Sequence, residues 1–301
     1  MPTTCRQSVC ALRLALLACV AALSGACAAA RGPDAGPPRA NEPAYPVVLA
    51  ASTERREQAA GAWQALAQEQ GLAAAPTPEW QNVTATISAL PAGVVPRLPK
   101  VELSGSAAVS ADEATRESLR RFLTSAASLL GVAVKDLSLV EIKDQPDGTK
   151  LARYQQKPFT HPLRGGFGEI NIGFANDGRV TTLTSTALPD TERLARLLAA
   201  QPQKLSAKDA EARLAGRALT YPGVGGATLS YTVGANEQVK ARELVVYPQR
   251  RATGEPAALE LHLAWEVAVG RGDDPLLAYV DALTGDIIAA ASTATQKEQP
   301  K

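Results

Sequence analysis

The chain has 301 residues, of which 46% are hydrophobic and 20% charged, and it carries a net charge of +1. That length allows about two domains, and the apolar content is enough for a packed core, which excludes a disordered chain. A near-neutral balance gives nucleic acid nothing to hold, so no nucleic-acid partner is expected.

All four cysteines, Cys5, Cys10, Cys19 and Cys27, lie near the N-terminus, so the folded part has no disulfide framework. Residues 1–30 place Arg6 and Arg13 before "LALLACVAALSGACAAA", an apolar run short for a membrane span and ending in small residues, which reads as an export signal. Two processing routes fit. Cleavage after Ala28 or Ala30 releases a soluble protein, whereas "LSGAC" resembles a bacterial lipobox and makes Cys27 the candidate lipidated residue, with a lipid anchor to the membrane. Loss of Arg6 and Arg13 with the leader takes the net charge from +1 to −1. Residues 31–50 carry "RGPDAGPPRANEPAYP", rich in Pro and Gly without a period, and read as a linker.

Residues 51–110 form an N-terminal helix and strand extension. In "STERREQAAGAWQALAQEQG" Ser52 or Thr53 caps a helix, Trp63, Leu66 and Ala67 make its apolar stripe, and Gly71 ends it. "VTATISAL" follows with the β-branched content of a strand. "NVT" at Asn82–Thr84 is a formal glycosylation acceptor of low specificity.

At Ser110 the pattern sharpens, since "SADE" sets Glu113 three residues after a capping serine. Leu119, Phe122, Leu123, Ala126 and Leu130 recur at helical spacing and Gly131 supplies a left-handed stop, predicting one amphipathic helix of about five turns. Strands come next: "LSLVEIK", "TKLARYQQK", then "GEINIGFA", whose Ile170, Ile172 and Phe174 alternate with polar or small residues. "NDG" at Asn176–Gly178 turns this last strand into "RVTTLTSTA" as a tight hairpin. Residues 111–190 are thus one unit, a helix followed by a meander.

Residues 204–293 repeat the plan. "SAKD" caps a helix at Ser206 with Asp209, its stripe is Ala210, Leu214 and Ala218, and "YPG" stops it. Strands follow at "ATLSYTV", "ARELVVY" and "LELHLAWEVAV", where Leu259, Leu261, Leu263, Trp265, Val267 and Val269 alternate strictly. "LLAYVDALTGDIIAA" closes the sheet as a hairpin, and residues 294–301 are a polar tail. A helix across one face of an antiparallel sheet, twice in series, is an α+β architecture.

No catalytic constellation emerges. His161 and His262 are the only histidines, too far apart for a zinc-binding H-E-x-x-H helix. His262 shares the polar phase of its strand with Glu260 and Glu266 and reads as part of a solvated face; His161 reads as a polar residue of a turn. There is no G-x-S-x-G elbow. Asp273 and Asp274 offer too few oxygens for calcium, "GGFG" at Gly165–Gly168 reads as a loop, and "RGD" at Arg271–Asp273 as turn chemistry. The expectation is a protein that is not an enzyme, with no cofactor and no metal.

The stretch from Phe122 to Leu188, with "RYQQ" ending at Gln156, Gly165–Gly166 downstream and the "NDGRV" hairpin at Asp177–Gly178, resembles the fungalysin and thermolysin propeptide domain of secreted zinc metalloproteases. The Trp265 strand followed by "VDALTG", with Asp281 and Gly285, resembles the second propeptide lobe, of PepSY type. The family's aromatic and glycine after the glutamine are replaced here by "KPFTH", with Phe159 in the aromatic's place. The resemblance implies two tandem cystatin-like lobes, each a helix on an antiparallel sheet, after the export signal and linker. It covers residues 111–290, after which only "ASTATQKEQPK" follows, so it implies a propeptide without its catalytic domain. Such a protein is expected to bind a secreted thermolysin-like metalloprotease in trans, as inhibitor or folding helper. The alternative is an envelope-tethered module that binds proteins or peptides and meets no protease.

Overall fold

Residues 44–72, 76–101, 111–251, 257–270 and 275–293 are described by a computed structural model, and all fall within the compact unit of residues 41–301. Cys27, the Ser110 cap, the Arg271–Asp273 tripeptide and Asp274 lie outside the described residues. Among those described, no helix is long and apolar enough to cross a membrane.

Ser52, in extended backbone, accepts a hydrogen bond from the Arg55 amide and caps α1 (Thr53–Glu69). This helix buries Ala59, Trp63, Leu66 and Ala67, the expected stripe and one further alanine. The expected five-turn helix is divided at Ala126 into α2 (Ala111–Ser125) and α3 (Ala127–Leu130). At the break the Thr124 and Ser125 hydroxyls bond back to the Arg120 and Phe122 carbonyls, competing with the helical ladder. Gly131 ends α3 in the left-handed conformation, with φ 66°.

These helices cover one face of a six-stranded antiparallel sheet. Its strands are β2 (Glu79–Trp80), β3 (Ile87–Ala89), β4 (Leu137–Asp144), β5 (Lys150–Gln156), β6 (Glu169–Phe174) and β7 (Val180–Ser185), in the order β2-β3-β7-β6-β5-β4. Four consecutive strands, β4 to β7, form the expected meander. Ile170, Ile172 and Phe174 point into a core with Leu119, Phe122, Leu123, Leu129 and Leu130. Burying each such side chain stabilises the fold by about 1.5–3 kcal/mol. "VTATISAL" is a strand only over β3. Its first half turns instead, because Ala85 takes φ 58° and the Thr84 and Thr86 hydroxyls bond each other at 2.7 Å.

The second sheet contains β1 (Val47–Ala50), β10 (Val239–Arg250), β11 (Ala258–Val269), β12 (Leu276–Asp281) and β13 (Ile287–Ser292). β10 runs along one edge of β11, while β1 and β12 lie end to end along the other, at Leu261–Ala258 and Ala264–Val269 respectively. Residues 47–50, at the end of the linker read from composition, are therefore a strand of the C-terminal sheet. Two helices back it. α4 (Thr191–Ala199), not foreseen from the sequence, packs Leu194 and Leu198 on Leu259 and Leu261, and α5 (Ala207–Leu214) packs Ala210 and Leu214 on Val267 and Val269.

Ser206 and Asp209 form the expected capping box of α5. The helix does not continue to "YPG". Gly216 turns to φ 71°, and the Gly216 and Arg217 backbones bond Val233, starting a hairpin of β8 (Ala218–Pro222) and β9 (Thr228–Thr232). Ala218, expected on the helix stripe, is an exposed strand residue.

Candidate functional site

The first-lobe motif residues fix turns and crossings. Gln156, buried at the end of β5, donates to the Leu188 carbonyl at 2.8 Å and accepts from its amide at 2.9 Å, tying the meander to the segment that enters α4. Asp177 and Gly178 make the β6–β7 turn. There Asp177 takes the Arg179 amide and guanidinium, which hold its carboxyl below the usual range. Trp265 donates from Nε1 to the Leu205 carbonyl at 3.0 Å, fastening β11 to the segment before α5.

The Asp281–Gly285 turn shows why an acid and a glycine occupy these positions. Asp281 Oδ1 accepts from the Leu283 and Thr284 amides at 2.8 and 2.9 Å, and Gly285 holds φ 78° with its amide bonded to the Asp281 carbonyl. The other oxygen faces inward. Asp281 Oδ2 accepts from Tyr45 Oη at 2.8 Å and lies 2.7 Å from His262 Nδ1. Tyr45 fills the gap between β1 and β12, accepting from the Leu263 amide at 3.0 Å, and its ring meets His262 edge-on. Burial and the adjacent Asp281 carboxylate push the Tyr45 phenol well above its ordinary value.

This geometry corrects the reading of His262 and Glu266 as part of a solvated face. The His262 side chain is 12% exposed, and Glu266 is buried. β11 is covered on both faces because the sheet curls. Flat strands spaced about 4.8 Å apart would hold β10 and β13 roughly 14 Å from each other, yet Gln249 on β10 bonds the Ile288 carbonyl of β13 at 3.3 Å. Val245, Ala264, Leu277 and Tyr279 fill the concave side.

The loop between β5 and β6, residues 157–168, crosses to this concave side. It joins β10 through paired backbone bonds, Arg164 N to Val246 O and Val246 N to Pro162 O. Arg164 then reaches the buried Glu266 with Nε at 2.9 Å and Glu243 with Nη2 at 2.6 Å, while Arg242 stands 3.6 Å from Glu266 and the Tyr279 hydroxyl 3.4 Å away. Gly165 and Gly166, both at φ 73°, turn the loop back. Between the loop and the sheet lies a cavity of about 950 Å³, lined by Lys157, Phe159, His161, Tyr247, Tyr279 and the Ile288–Ser292 strand among others. Tyr247 and Tyr279 stack at 4.4 Å across β11.

The structure therefore brings together Gly165, Gly166 and His161 at the cavity, while Asp281, Gly285 and His262 meet at the end of the sheet. Gln156 also borders the cavity; Asp177 and Gly178 do not belong to either group, and Trp265 serves the convex side. Tyr45, Arg164, Tyr247 and Tyr279 went unremarked in the sequence, and Glu266 was read there only as part of a solvated face. One signal was present: "LLAYV" in β12 is apolar in both phases, as a strand covered on two faces requires. Among the described residues, no three His, Cys, Asp or Glu side chains cluster as metal ligands.

No family model matches the chain, and no curated protein sequence matches it. Among solved structures it is similar to the Bacillus megaterium YpeB C-terminal domain, with 13% identity over 64% of this chain and 68% of that one, at a TM-score of 0.24.

Proposed function

We propose that this protein is exported and binds a secreted thermolysin-like metalloprotease in trans, as inhibitor or folding helper, with no chemistry of its own. The observation that carries the reading is the role of the resembling motifs. Gln156, the Asp177–Gly178 turn, Trp265 and the Asp281–Gly285 turn each fasten one helix-backed sheet, in the order the propeptide resemblance implies. A docking edge is at hand in β4, the outermost strand of its sheet, whose Val140 is 47% exposed. A stable complex would bury roughly 1,200–2,000 Å².

The test mixes the purified chain with thermolysin-like proteases of its host. The reading expects a change in protease activity or refolding yield, together with capture of the protease on immobilised chain. No effect in any of the three assays overturns it. A second reading, an envelope-tethered module that binds peptides or proteins and meets no protease, is favoured by the cavity under the 157–168 loop.

A further inference from the structure

From the lining of that cavity we infer a binding site for a short, uncharged, extended peptide, with an apolar side chain resting on the Tyr247 ring. The inference deepens the second reading and holds whatever protein supplies the peptide. Size is the first argument. About 950 Å³ lies at the upper end of ligand sites and far exceeds a single side chain.

The chemistry of the walls decides the class. The sheet side offers the half-buried Tyr247 ring, backed by the buried Tyr279, and the small Ala289 and Ala291, an apolar strip along which a chain can lie close. The remaining walls supply neutral hydrogen-bonding groups, including the Gln155 amide and the Thr160, Thr220 and Ser292 hydroxyls. These match the alternating donors and acceptors of peptide amides. Tyr247 adds another: burial raises its phenol, and no hydrogen bond to the hydroxyl is formed among the described residues. Charge argues in the same direction. Lys157 and Glu169 line the cavity with one charge of each sign, and Arg164 is already held by Glu266 and Glu243, so the charges around the cavity do not add up to a net positive field for a nucleotide or a fatty-acid carboxylate.

The experiment uses the full chain and a fluorescein-labelled, N-acetylated, C-amidated hexapeptide, Gly-Val-Phe-Val-Thr-Gly, followed by fluorescence anisotropy. Saturable binding is expected, weakened at least tenfold by Thr220→Trp, which fills the cavity from an exposed β8 position. Ala289→Trp, from the neighbouring strand β13, is expected to act alike, with circular dichroism checking that both variants fold. Replacing Phe by Gly in the probe should also weaken binding at least tenfold. The absence of saturable binding overturns the inference, as does unchanged affinity in folded Thr220→Trp, or displacement of the probe by decanoate or AMP at concentrations below its own dissociation constant. A chain that binds the probe but affects no protease upholds the site while overturning the protease reading; protease binding unaltered by Thr220→Trp, with no probe binding, does the reverse.

Discussion

Tyr45 and Asp281, separated by 236 positions in the chain, share a hydrogen bond of 2.8 Å that closes the seam between β1 and β12. The same hydroxyl receives the Leu263 amide at the one point where β11 has no strand beside it on that edge. Tyr45→Phe keeps the ring against His262 but leaves the amide and one carboxylate oxygen short of a partner. Each unsatisfied buried group costs about 1–3 kcal/mol. Urea unfolding should record a loss of roughly 2 kcal/mol in Tyr45→Phe with an unchanged denaturant slope.

The same phenol makes stability fall at alkaline pH. In the unfolded chain a tyrosine releases its proton near pH 10. In the folded chain Tyr45 is held above that by burial and by Asp281, and Tyr154 is pushed up to about 12 by burial. Above pH 10 the unfolded chain therefore binds fewer protons than the folded one, and stability declines as pH rises. The contribution is complete below pH 10 and lost progressively above it, at about 1.4 kcal/mol per pH unit for Tyr45. Urea midpoints measured from pH 8 to 11 should decline more gently in Tyr45→Phe than in the parent chain.

How far the sequence foretold this molecule depends on whether the signal was local. Caps and turns such as Ser52, Ser206–Asp209, Asp177–Gly178 and Gly285 are set by a few neighbouring residues, and each came out as read. So did the alternating strands, because a single-sided core stamps its period on the chain. Long-range closure left no such stamp. Nothing near Tyr45 announces a partner beyond position 260, and the polar phase of His262 and Glu266 looks the same whether it faces water or a curled sheet. The Arg164 latch was hidden for a related reason, since a loop's destination depends on what it crosses and not on its own composition.

Gly285 illustrates a local rule with a measurable cost. At φ 78° an L side chain is strained, and a Cβ would also stand 3.2 Å from Arg213 Nε on α5. The strain alone is worth about 1–2 kcal/mol, and the contact adds to it. Gly285→Ala should lower the urea midpoint accordingly, while Gly166→Ala, whose Cβ would meet nothing within 4 Å, should lose only the backbone share.

Arg164 and Glu266 set the last expectation, because Glu266 is buried while Arg164 is half-buried on the loop. Removing one partner of a buried ion pair typically costs 3–5 kcal/mol, since the other charge is stranded. Here it is not fully stranded: Arg242 stands 3.6 Å from Glu266 and the Tyr279 hydroxyl 3.4 Å. Arg164→Met should therefore destabilise by only about 1–3 kcal/mol, below the usual penalty for a broken buried pair. Adding Arg242→Met removes the substitute cation, so the double variant should lose more than the sum of the two single losses. The excess should fall in the range of about 0.5–3 kcal/mol found for coupled neighbours. Additive urea-unfolding losses would mean that Arg242 does not stand in for Arg164 as the partner of Glu266.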